Sequence, residues 1–248
     1  MDYKAKEESA TAELTKIAED QACKEADVLE VKHSLPMSRK LYVENKTAQY
    51  LNELKKELAK LLVQMNKVSV VINEKLQNLP DIERNVYAKE LTLAVEILNN
   101  QDIDSAKFEE AGSLQKIVKL SNETLLWIYR IGAQFFEEKK FEDSICFFRF
   151  LVILNPNVCD YWIALGTAQQ AFADKSQALL SFSLAVILEP EHVEARRLCA
   201  EANMSLGQFE EAFVEIQALA EIIKKQKLDS LRPLLEELQN KVRVKQSI

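Results

Sequence analysis

Glycine and proline are scarce, with 4 and 5 copies in 248 residues. Tight turns draw on both residues, so a protein of many short strands is excluded. Cysteine is also sparse. Cys23, Cys146, Cys159 and Cys199 form no CxxC pair, and His192, seven positions before Cys199, is the only histidine near any of them. Scattered thiols of this kind are small core hydrophobes of a reducing compartment, so no metal site is expected. The two histidines, His33 near a helix break and His192 in a turn, read as exposed loop residues. With so few glycines there is no phosphate-cradling loop, and no nucleophile has a base at a recognisable spacing. Neither an enzyme nor a bound cofactor is indicated. No apolar run approaches the 18 residues that a membrane span needs. Excess basic charge is missing too: the net charge of -7 carries no nucleic-acid footprint. The first residues, MDYKAKEESATAEL, lack the apolar stretch of a secretory signal, which makes the cytoplasm the expected location.

What is present is helical. Hydrophobic residues make up 48% and charged residues 29%, and runs of Glu, Lys, Leu, Ala and Gln favour helix. The expected fold class is all-α. Residues 1–37 read as a polar, frayed helix, interrupted at Pro36 because a proline biases its predecessor away from helix. Residues 38–120 form a helical extension. Within it, 38–79 carry Leu51, Leu54, Leu58, Leu61, Met65, Val68, Ile72 and Leu79 in alternating steps of three and four, with Lys75 in the one polar place. That heptad seam suits either a long helix packed on one neighbour or a coiled coil. Two shorter helices follow, over 82–99 and 103–120, separated by the polar turn Asn99–Asp102.

From 121 to 226 the chain repeats itself. Gly132 and Gly166 are 34 residues apart, as are Phe148 and Phe182, and Pro156 and Pro190. Ser144, Ala178 and Ala212 keep the same step, as do Leu151, Ala185 and Leu219. A 34-residue period over helical sequence is the tetratricopeptide signature, and stacked hairpins of this type form an α-solenoid. Three repeats are expected, 125–158, 159–192 and 193–226. The glycines mark close approach of two helices, and the prolines stop the second helix of a unit. Gly207 fits the turn inside the third hairpin. The third repeat departs most, with Arg196 at the Trp162 position, Ala200 at the Gly166 position and Lys224 where Pro190 would recur. Residues 227–248 supply a capping helix, expected to break at Pro233.

Such an array presents a concave surface lined by the first helix of each unit, suited to an extended peptide or a partner's helix. The repeat register puts Leu126, Tyr129, Ala133 and Phe136 on that surface in the first unit, and Asp160, Ile163, Thr167 and Gln170 in the second. Arg197, Glu201 and Met204 follow in the third. The surface is apolar and aromatic at one end and polar at the other. Tyr129 and Phe136 could alternatively be core, packed under the helices of residues 82–120.

The run IYRIGAQFFEEKKFEDSICFFRFLVILNPNVCDYWIALGTAQQAFADKSQALLSFSLAVILEP resembles the class II type III secretion chaperones of the SycD/LcrH type, across residues 120–225. The aromatic first repeat, the YW-x-x-LG opening of the second and its S-aromatic-S carry the likeness. The resemblance implies a bacterial cytoplasmic chaperone that keeps hydrophobic translocator proteins soluble before secretion. It implies that a short, extended Pro/Leu-containing client segment binds in the groove. By matching position, it implies contacts from Tyr129, Phe136, Leu154 and Phe182. It also implies a homodimer formed through N-terminal helices. About 120 residues precede the first repeat here, where members of that family have only a short helix. A second reading from a different class remains, a scaffold that docks a folded partner and assembles through the heptad helix.

Overall fold

The computed structural model describes residues 3–31, 38–100 and 109–246. The expectations for His33, for Pro36 and for the Gln101–Asp102 end of the polar turn lie outside these residues. Among the described residues the chain is all-α, and no helix is long and apolar enough to cross a membrane. The backbone divides into two compact units, residues 1–67 and 68–248.

The first unit pairs α1 (Tyr3–Val31) with the opening turns of α2 (Arg39–Gln77). Helix α1 lacks a leucine stripe. Among its described side chains the buried ones are instead Ala18, Ala22 and Ala26, one per turn. Polar contacts fix the pairing: Tyr42 Oη donates to Glu25 at 2.6 Å, and Arg39 bridges Asp27 at 2.7 Å. Along the heptad seam Leu51, Leu61 and Met65 are half-buried.

In the second unit the seam becomes core. Val68, Ile72 and Leu76 of α2 are buried together with Ala94 of α3 (Asp81–Asn100) in one apolar cluster. Lys75, the polar member of the seam, donates to Gln134 at 3.1 Å. Where a single helix was expected over 103–120, the described residues show a break: residues 109–111 are helical, Gly112 and Ser113 bend the chain, and a short turn follows, α4 (Leu114–Ile117), capped by Ser113. Its buried Gln115 donates to the Leu120 carbonyl at 3.1 Å and to Asn122 at 2.8 Å, and accepts from Asn155 at 2.8 Å.

The repeats follow as paired helices: α5 (Asn122–Glu137) with α6 (Phe141–Leu154), α7 (Cys159–Ala171) with α8 (Lys175–Leu188), and α9 (Val193–Ser205) with α10 (Phe209–Gln226). Each helix packs on the next in chain order, as stacked hairpins must. Ser121 caps α5, its Oγ accepting from Thr124 N at 3.1 Å. Glu90 of α3 adds an outer cap, accepting from Ser121 N at 2.9 Å and Thr124 Oγ1 at 2.6 Å. Burial pushes the Glu90 carboxyl up, but those hydrogen bonds outweigh it and hold the group below the usual carboxylate range.

The glycines explain the register. A Cβ on Gly166 would stand 2.5 Å from Phe182 Cε1, and one on Gly132 would stand 3.0 Å from Phe148 Cε1. The phenylalanine ring therefore lies against the glycine of its own hairpin, and Phe182 also packs in one buried cluster with Ala195, Leu198 and Cys199 of the next. In the third unit Ala200 and Ile216 hold these places, both fully buried. A larger residue on one helix is met by a narrower one on the other. Inside each hairpin the turn carries one residue in the left-handed region: Lys139 at φ 61°, Ala173 at 70° and Gly207 at 77°. The same two backbone bonds close all three turns, for instance Ala173 N to Gln170 O at 3.0 Å and Asp174 N to Gln169 O at 2.9 Å.

The C-terminal helix α11 (Arg232–Gln246) buries Leu238 and Val242 against Ala212, Ile216 and Leu219 of the third unit. Pro233 is its second residue. In the first turn a missing N–H costs nothing, so the proline begins this helix rather than breaking it.

Candidate functional site

The concave positions sit on α5, α7 and α9. On α5, Leu126 is 48% exposed, and Tyr129, Ala133 and Phe136 are half-buried. The Tyr129 ring lies 5.2 Å from that of Phe148 and 6.2 Å from that of Tyr161. Phe136 rests on Phe141 at 5.4 Å. Together these rings make an aromatic shelf whose underside is core and whose edge is open.

Helix α3 seats on a different face of α5. Tyr87 stacks on Trp127 with centroids 4.9 Å apart and planes at 14°. Trp127 projects about 160° around the helix from Tyr129, at about 100° per residue. Gln134, the partner of Lys75, projects about 140° away by the same count. Lys75 of α2 and Tyr87 of α3 thus meet α5 from behind the shelf.

On α7, Asp160 and Gln170 are exposed while Ile163 and Thr167 are half-buried. The Thr167 hydroxyl donates to the Ile163 carbonyl at 2.8 Å, so it is engaged within its own helix. On α9, Arg197 donates to both Glu194 oxygens, at 2.6 and 2.8 Å, and to Glu201 at 2.6 Å. The far end of the surface is therefore charged but internally compensated.

Two expected contact residues are not on this surface. Phe182 has no exposed surface, because its ring fills the space left by Gly166. Leu154, at 4% exposure, belongs to the core of the first hairpin. Tyr161, in contrast, was not singled out from the sequence. Its 34-residue counterpart is Trp127, which faces the preceding element. The same geometry in the second unit turns Tyr161 toward Tyr129. Burial first, and then the Asp160 carboxylate, push both phenols above the ordinary tyrosine value.

One group of metal-type donors exists among the described residues. Cys159 Sγ, a Glu189 oxygen and a His192 ring nitrogen all lie within 4.8 Å of one another. The thiol and the Nδ1 are already committed. His192 is half-buried rather than a free loop residue, and its Nδ1 accepts from Ala195 N at 3.2 Å as the cap of α9. The Cys159 thiol donates to the Ala185 carbonyl at 3.5 Å. Burial, with Glu189 and Asp160 nearby, pushes it up to about 11, so it stays protonated and serves as packing.

No protein-family profile matches the chain, and no curated protein matches it. Solved structures do. A T3SS complex from Aeromonas hydrophila aligns with a TM-score of 0.54 at 20% identity, over 58% of this chain and 96% of that one. The CopN–Scc3 complex aligns at 0.50 and 23% identity, over 61% and 97%. The type III secretion translocator chaperone SycD of Yersinia enterocolitica aligns at 0.48 and 20% identity, over 54% and 98%. At these identities what is shared is the fold, a helical-repeat fold that a type III secretion complex contains.

Proposed function

We propose that this chain is a chaperone that holds an extended segment of a secreted client protein along the concave face of its repeats. It keeps that client soluble in the bacterial cytoplasm before type III secretion. The client is of the hydrophobic translocator type that the sequence resemblance implies. The observation carrying this reading is the shelf of Leu126, Tyr129 and Phe136 beside Tyr161, apolar and half-exposed, on a face of α5 other than the one that meets Lys75 and Tyr87. Rigid rings with a polar tip bind extended segments at little cost in conformational entropy. The fold shared with a T3SS complex supports the setting.

The test uses a fluorescein-labelled Pro/Leu peptide and anisotropy. Leu126→Asp places a charge at a residue already 48% exposed, so the protein should keep its helicity while binding weakens at least about tenfold, the scale of a lost buried contact. Tyr129→Ala should weaken binding as well, with some loss of stability because it also removes the contacts to Phe148 and Tyr161. Wild-type affinity in Leu126→Asp would rule out the shelf as the binding surface.

A further inference from the structure

Asp160 stands out once the repeats are superposed in register. The 34-residue step relates Leu126, Asp160 and Glu194, and equally Tyr129, Ile163 and Arg197. In the third unit the acid at the first place is held by the arginine at the second, with N–O distances of 2.6 and 2.8 Å. In the second unit the arginine's place is taken by Ile163. Asp160 is exposed in the first turn of α7, and none of the ion pairs among the described residues involves it.

Its surroundings favour a cation. The Tyr129 and Tyr161 rings are 6.2 Å apart, tilted by 31°, and both are half-buried. The face of an aromatic ring carries negative potential and attracts an ammonium or guanidinium group. Asp160 adjoins Tyr161 in the sequence, and after the larger effect of burial its carboxylate raises the pKa of both phenols. Ile163 lies about one turn further along α7, and Leu126, exposed at the matching place of α5, adds apolar surface. Arg197, the nearest cation in the repeat pattern, is already shared between Glu194 and Glu201.

We propose that Asp160, Tyr129 and Tyr161 form a subsite for one lysine or arginine side chain of the bound segment, beside the apolar residues that rest on the shelf. This rests on the chaperone reading and sharpens it: the preferred segment is extended, apolar, and carries a basic residue at one fixed position. The competing role for Asp160 is a helix-terminus charge, since an acid in the first turn of a helix is stabilising by itself.

The experiment uses the full chain and a set of blocked synthetic peptides of Pro and Leu spaced by Ser, with one Ser at a time replaced by Lys or by Glu. Affinities are measured by calorimetry at low and moderate salt. At one position Lys should strengthen binding about three- to tenfold over Ser, and Glu should weaken it, as expected for a half-exposed ion pair with ring contacts. The gain should shrink with salt. Asp160→Asn should abolish the Lys advantage, and Asp160→Lys should transfer it to the Glu peptide. An equal Lys advantage in wild type and Asp160→Asn, even with a lowered Tm in the variant, would reduce Asp160 to a helix-terminus charge and overturn the subsite. So would binding without discrimination between Lys and Glu at any position. If no peptide of the set binds the wild-type chain, the peptide-binding reading itself fails and the subsite falls with it.

Discussion

The contact between Gly166 and Phe182 permits a quantitative test of how the repeats are built. Gly166→Ala should help on helix propensity alone, by about 1 kcal/mol in a helix interior. The structure argues the other way. The new Cβ would lie 2.5 Å from Cε1 and 2.7 Å from Cδ1 of a ring that is fully buried. A packed ring cannot swing aside as a flexible chain end could, and overpacking of this kind costs about 1–3 kcal/mol. The net expectation is destabilisation by up to about 2 kcal/mol. Phe182→Ile alone leaves a void where the ring was, at about 1–2 kcal/mol. The third unit uses Ala200 with Ile216, both fully buried, so the double variant transplants a pairing that this protein already contains. It should be more stable than the sum of the singles by at least about 1 kcal/mol, a coupling expected of residues in contact. Urea unfolding followed by helicity and by tryptophan fluorescence gives the four free energies, and agreement of the two probes guards against partial unfolding of the array. Additivity within about 0.5 kcal/mol, or a stabilised Gly166→Ala, would refute the account of the glycine.

Other parts of the array make separate predictions. Lys139 and Ala173 hold left-handed backbone at φ 61° and 70°, so Lys139→Gly and Ala173→Gly should each raise stability by about 1 kcal/mol. Gly207→Ala, at φ 77°, should lower it by a similar amount, and a raised Tm in that variant would contradict the assignment. Ser144 is fully buried and its hydroxyl has no hydrogen-bond partner. Ser144→Ala, the residue found at Ala178 and Ala212, should stabilise by about 1 kcal/mol in urea unfolding; a loss would mean that the hydroxyl is satisfied. Tyr129 and Tyr161 have raised values because burial, and then Asp160, disfavour the phenolate. The stability this confers is complete below the unfolded value near pH 10 and is lost as pH rises through the folded values. Tyrosinate absorbance should show Asp160→Asn moving part of the titration to lower pH; an unchanged curve would contradict the closeness of Asp160 to the pair.

Much of the fold could be read from the sequence, because a 34-residue period ties several positions to one another at once. The groove end built from Leu126 and Tyr129 followed from the same register. What escaped did so for physical reasons. The stripe of Ala18, Ala22 and Ala26 has too little hydrophobic contrast to mark a buried face. Tyr161 shares a register place with Trp127, and whether that place is covered depends on the preceding element, which no local pattern encodes. Phe182 was expected as a contact only through the family resemblance, by its matching place late in the second repeat. Its burial is fixed by Gly166, 16 positions earlier.

Degeneracy in the third repeat is less than the letters suggest. Trp162 Nε1 donates to the Pro156 carbonyl at 2.7 Å. Arg196, its counterpart one period on, donates from Nε to the Pro190 carbonyl at 2.8 Å. The position requires a long side chain with an N–H at the right reach, so that the carbonyl of the turn before the helix is not left without a partner. Indole and guanidinium both meet that requirement. The arginine adds a bridge to Glu215 at 2.6 Å, with both side chains largely shielded from solvent. The Ala200–Ile216 pair likewise restates Gly166–Phe182 in different volumes, and Lys139, Ala173 and Gly207 share one backbone conformation at different strain. Each repeat position is thus defined by a physical task, such as a donor at fixed reach, a summed volume or a left-handed turn. Concave positions carry no such shared task. That is why Tyr129, Ile163 and Arg197 differ freely, and why the character of the surface changes along the array while the scaffold beneath it does not.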